Sequence, residues 1–61
     1  MTLDEWKKRS NLSDTEIAAA IGVSRLSVFR YRQGEMMPRK KVMLKIVEMT
    51  GGKVLPSDFY L

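Results

Sequence analysis

Arg25, Leu26, Phe29, Arg30 and Gln33 crowd into one short stretch of the chain, interleaved with Val28 and Tyr31. At about 100° per residue, a helix through this stretch sets Val28 and Tyr31 side by side on one edge. The opposite edge carries Leu26, Phe29, Arg30 and Gln33, with Arg25 and Ser27 on its flanks. A face that mixes guanidinium, amide and apolar groups suits base edges. In a major groove Arg pairs bidentately with guanine, Gln pairs with adenine, and an apolar side chain meets the thymine methyl. Because such helices read chiefly with their N-terminal residues, Arg25, Leu26 and Arg30 lead the candidates, and Gln33 is left between a base edge and a phosphate. The competing reading makes Leu26 and Phe29 core residues of a helix buried on several sides. Arg25, Arg30 and Arg32 weigh against it, since each needs solvent or an anion.

The charge around this stretch points the same way. Between Ser24 and Lys45 lie Arg25, Arg30, Arg32, Arg39, Lys40, Lys41 and Lys45 against the single acid Glu35, a net +6 in a chain whose total is +4. Positive charge segregated in this manner fits a polyanionic partner, the alternative being a plain solvated face. Arg39, Lys40 and Lys41 follow Pro38 at an expected helix start, where cations oppose the helix macrodipole unless an anion is near. With Arg32 they form the phosphate-binding candidates. Ser24 and Ser27 join them, with cap and filler as their other reading.

Composition removes several other chemistries. The 61 residues include no Cys and no His, which rules out a disulfide scaffold, a Cys/His metal site and histidine-dependent catalysis. No nucleophile-base pair is apparent and the acids are scattered, so the chain reads as a non-enzyme without metal, cofactor or small-molecule ligand. No apolar run approaches a membrane span, and Asp4, Glu5, Lys7 and Lys8 do not resemble a signal peptide, so a cytoplasmic protein without a membrane partner is expected. A chain this short suits one domain, residues 1–61, burying roughly 60% of its unfolded surface.

The elements that must position the candidate face can be read from caps and periodicity. Thr2 and Glu5 have capping-box spacing and predict a helix from about Leu3 to Arg9, with Trp6 in the core, interrupted by Ser10 and Asn11. Ser13 and Glu16 repeat the signal, with Leu12 placed to staple against Ile17, and predict a second helix from Asp14 to Ile21. Ile17, Ala18 and Ile21 form its apolar stripe. Gly22 then permits a sharp turn plugged by Val23, Ser24 caps a third helix from Arg25 to Gln33, and Gly34 ends it. So short a connection forces the second and third helices to a steep angle, the helix-turn-helix arrangement. Pro38 suits the start of a fourth helix, Arg39 to Met49, closed by Gly51 and Gly52. The same residues also admit a hairpin with Gly51-Gly52 as its turn. Val54 to Leu61 predicts a short helical turn. The expected fold is all-α, a small bundle of four to five short helices, with an α+β fold carrying a C-terminal β-hairpin as the alternative.

The stretch LSDTEIAAAIGVSRLSVFRYRQGEMMP, Leu12 to Pro38, is similar to the helix-turn-helix of the Cro/phage-repressor (XRE-like) DNA-binding family. Ala18, Gly22, Val23, Val28 and Tyr31 match that family's packing positions, and the tail TGGKVLPSDFY looks like the end of phage Cro-like regulators. The resemblance implies a sequence-specific regulator of transcription, a repressor acting on a double-stranded DNA operator in a bacterial or phage-infected cell. A homodimer, formed before or upon DNA binding, is expected from the few base pairs one helix can touch, with the apolar residues Val54, Leu55, Phe59, Tyr60 and Leu61 as its pairing surface. One departure stands out: the family usually opens its second helix with a phosphate-gripping Gln or Thr, and here Asp14 stands there. The phosphate contact then passes to Thr15 and the backbone N–H groups of that helix end. The rival reading is a small protein-interaction module, an antirepressor or assembly factor on the same scaffold.

Overall fold

The computed structural model describes residues 1–59. Four α-helices follow one another, α1 (Leu3–Ser10), α2 (Asp14–Ile21), α3 (Arg25–Gln33) and α4 (Lys40–Met49), and a 3₁₀ turn spans Pro56–Phe59. The all-α expectation holds. No strand is present among the described residues.

Both capping boxes form. The Thr2 hydroxyl accepts the Glu5 N–H at 3.2 Å and the Glu5 carboxylate accepts the Thr2 N–H at 3.2 Å. Ser13 and Glu16 repeat the exchange at 3.1 and 3.0 Å. Each box satisfies two backbone donors that a bare helix start leaves unpaired. Ser10 does not interrupt α1 as expected. Its hydroxyl donates to the Lys7 carbonyl at 3.1 Å, and the break falls on Asn11, in the left-handed region at φ 60°.

Leu3, Ile17, Ile21, Val28, Ile46 and Val54 are the largest fully buried side chains, joined in the core by Ala18, Tyr31 and Met43. Trp6 is half-buried, packed against this cluster rather than within it. Burying a side chain of this kind is worth roughly 1.5–3 kcal/mol. In a domain stabilised by a few kcal/mol, each is individually important.

The hairpin alternative is not what forms. The N–H groups of Gly51 and Gly52 bond back to the carbonyls of Glu48 and Val47 at 3.2 and 2.9 Å, closing α4 instead of turning a ladder. The buried Thr50 hydroxyl donates to the Ile46 carbonyl at 2.9 Å and accepts the Val54 N–H at 3.2 Å, and the Val54 side chain lies in the core. The start of α4 also differs from expectation. Arg39 is its N-cap, without a side-chain cap bond, and Pro38 lies buried one residue earlier rather than in the first turn.

Candidate nucleic-acid interface

Three residues, Gly22, Val23 and Ser24, join α2 to α3. Gly22 takes φ 73°, the left-handed conformation that an L side chain resists, and the Val23 N–H closes on the Ala18 carbonyl at 3.0 Å. The Ser24 hydroxyl then accepts the Ser27 N–H at 3.1 Å and donates to the Ser27 hydroxyl at 3.0 Å. Ala18, small and buried, belongs to the same core cluster as Val28 and Tyr31 of α3. The short turn anticipated from Gly22 and Ser24 is therefore built.

Along α3 the two edges separate as the helical period requires. Val28 is 0% exposed and Tyr31 7%, whereas Leu26 is 56% and Phe29 44% exposed. Arg25, Arg30 and Gln33 are exposed with them. The core reading of Leu26 and Phe29 is thereby set aside, and the five base-edge candidates share one open face. With Asp14 of α2, residues Arg25, Leu26 and Phe29 line a shallow pocket of about 190 Å³.

The cations of residues 25–45 divide into two groups. Arg25, Arg30, Arg39, Lys40, Lys41 and Lys45 are exposed, and among the described residues none has a carboxylate within ion-pair distance. Lys45, not among the expected contacts, reaches the turn, its Nζ lying 3.4 Å from where a Cβ on Gly22 would stand.

Arg32 behaves differently. Its Nε donates to Asp4 at 2.9 Å and its Nη1 to both oxygens of Asp14 at 3.0 and 2.8 Å, with 16% of its side chain exposed. One guanidinium thus ties together α1, α2 and α3. The Lys8 ammonium, followed by Arg32, holds the Asp4 carboxyl below its ordinary range. Arg32 was expected on a phosphate, and the structure turns it inward instead, because Asp4 and Asp14 converge on it. That convergence was missed. The partners lie 28 and 18 residues away in sequence, where no local pattern signals them.

The pairing also accounts for the acid that opens α2. Asp14 sits where the helix dipole favours an anion, and Arg32 supplies its countercharge. Thr15, in the first turn of α2, is exposed as expected, while Ser24 and Ser27 are engaged with each other in the cap of α3. Among the described residues there is no cluster of acids fit to hold a metal, and no helix is long and apolar enough to cross a membrane.

A second helix joined by a three-residue turn to a third, whose outer face is open and carries exposed cations, defines a DNA-binding helix-turn-helix domain. The family model described as helix-turn-helix matches residues 3–54, and the chain belongs to this XRE-like family. No curated protein and no solved structure significantly matches the chain.

Proposed function

We propose that the chain is a Cro-like transcriptional repressor that lays α3 in the major groove of an operator half-site. The observation that carries this reading is the set of six exposed cations from residues 25–45 that have no carboxylate partner among the described residues, together with a face of α3 that the fold does not use. Arg25, Leu26, Phe29, Arg30 and Gln33 meet base edges. Thr15, Ser24, Ser27, Arg39, Lys40 and Lys41 meet phosphates, with Lys45 added to them. Arg32 serves the site indirectly, by holding α3 to the first turns of α1 and α2.

The 61 residues act as one domain, and two copies pair about a two-fold axis, in the cytoplasm of a bacterial or phage-infected cell. One helix spans too few base pairs to discriminate alone, and a two-fold pair places its helices about 34 Å apart, one turn of the duplex. Of the apolar residues expected to pair, Leu55 is exposed and Phe59 half-buried, but Val54 is in the core and unavailable. Tyr60 and Leu61 lie outside the described residues.

The decisive experiment is an NMR titration of the labelled chain with a short duplex at two salt concentrations. Amides of α3, the α2 start and residues 39–41 should shift. Neutralising four or five phosphates per subunit gives a log–log salt slope of about −4. A flat salt response would favour a protein-interaction module instead.

A further inference from the structure

We infer that the groove between one edge of α1 and the segment after α4 docks a short acidic stretch of a partner protein, one that sets a carboxylate beside a large apolar side chain. This docking does not depend on DNA binding by α3. Met1, Trp6, Arg9, Ser10 and Lys53 line an open cavity of about 370 Å³, room for one or two side chains of a partner. Met1 and Trp6 are half-buried and give it apolar walls, while Arg9 and Lys53 are exposed beside them. Trp and Arg are the residue types on which binding energy concentrates in protein interfaces.

The charge of the groove is uncompensated. Among the described residues neither Arg9 nor Lys53 has a carboxylate within ion-pair distance. Two acids adjoin the groove residues, and both are engaged elsewhere. Glu5 accepts the Thr2 N–H and hydroxyl at 3.2 and 3.0 Å, and Asp58 accepts the Met1 nitrogen and the Leu55 N–H at 3.2 and 2.8 Å. The Met1 nitrogen also donates to the Lys53 carbonyl at 2.9 Å, which ties the two sides of the groove together.

The chemistry selects the occupant. At about 100° per residue Trp6, Arg9 and Ser10 fall on the edge of α1 opposite Asp4, whose carboxylate meets Arg32 of α3. The groove is thus separate from the face of α3. A phosphate backbone matches Arg9 and Lys53 but offers no apolar group to Met1 and Trp6. A second copy related by a two-fold axis sets this cationic patch against itself. An acidic segment with an apolar anchor satisfies both kinds of wall.

The test pans a phage library of random heptapeptides on the whole chain, with counter-selection on the double variant Arg9→Glu/Lys53→Glu to remove peptides held by the cations of α3. Survivors should combine Asp or Glu with Phe, Leu or Trp. Trp6 is the sole tryptophan, so the labelled chain gives one indole N–H signal, which should shift as a capped, unlabelled synthetic survivor is added. Arg9→Gln or Lys53→Gln should weaken that peptide about two- to five-fold, with helical circular dichroism unchanged. Recovery of no survivor, or of survivors without acids, overturns the docking site, as does a peptide that moves α3 amides and leaves the Trp6 indole still. If a duplex shifts the indole and Arg9→Gln lowers the salt slope of DNA binding, the groove is a phosphate contact and the inference fails. If the indole shifts with chain concentration alone, a second copy fills the groove and the inference fails again.

Discussion

Arg32 donates to both carboxylate oxygens of Asp14 through one nitrogen, at 3.0 and 2.8 Å, while its Nε holds Asp4 at 2.9 Å. The acid at the start of α2, which on its own would push a phosphate away, is thereby matched within the fold. Half-buried pairs of this kind resist removal of one partner more than surface pairs do, because the remaining charges are left unmatched.

Replacing Arg32 by Met should therefore destabilise the chain, by about 1–3 kcal/mol, between the values typical of exposed and buried pairs. Arg32→Lys should recover only part of this, since a single ammonium lacks the planar fork that spans two carboxylates. Urea denaturation measures both. The salt slope of DNA binding should stay at its original value in Arg32→Met, which removes the charge, and a slope reduced by one unit would return Arg32 to the phosphate contacts.

Acid should unfold the protein in a defined direction. Asp4 is held below its ordinary value of 3.8 chiefly by Lys8 and then Arg32, and Glu5 and Glu16 below 4.5 by the N–H groups of Thr2 and Ser13. A carboxylate lowered in the folded state contributes stability that is complete above its unfolded value and lost as pH falls through the folded one. Melting temperature should decline as pH drops from about 5 to about 2. Asp4→Asn should flatten part of that decline, and an unchanged profile would show that Asp4 is not held as described.

Gly22→Val should cost about 1–2 kcal/mol or more through the backbone alone. A Cβ there meets only the flexible tip of Lys45, at 3.4 Å, so the strain lies in the backbone conformation and not in a clash at the Cβ. Asn11 ends α1 at φ 60° in this same chain, and Gly22→Asn should accordingly lose less than Gly22→Val. Thermal melts of the two variants check the order.

Arg30→Ala should leave the melting temperature nearly unchanged, because Arg30 is exposed with no ion pair among the described residues and Ala is the better helix former. Binding to the preferred site should weaken by about 1–3 kcal/mol, with relaxed discrimination at one base pair. Arg39→Ala or Lys40→Ala should instead weaken all sequences alike and reduce the salt slope by about one. A uniform loss in Arg30→Ala across single-base variants of the site would make Arg30 a phosphate clamp.

The turn and its two helices were legible in the sequence because their signals are local. Ser13 with Glu16, Gly22, Ser24 and Gly34 each act within a few residues, and the period of Val28 and Tyr31 settles which way α3 faces. What was not legible depends on distance or on missing markers. Nothing near Arg32 announces Asp4 or Asp14. The start of α4 was misplaced by one residue because Arg39 contributes no side-chain cap bond and Pro38 is tolerated on either side of a cap. Val54 is bonded through its N–H to Thr50, whose buried hydroxyl bonds backward and forward along the chain, a role its residue type does not reveal.

Within α3, Val28 and Tyr31 turn to the core, Arg32 pairs with Asp4 and Asp14, and Arg25, Leu26, Phe29, Arg30 and Gln33 turn out. Selection can therefore act on the outward set without disturbing the fold. A library randomised at those five positions, with Ser24, Val28, Tyr31 and Gly34 kept, should consist mostly of folded proteins with altered targets. A lineage carrying this chain can diverge in the DNA sites it binds faster than in its architecture, and duplicated copies can become mutually insulated through a handful of surface changes.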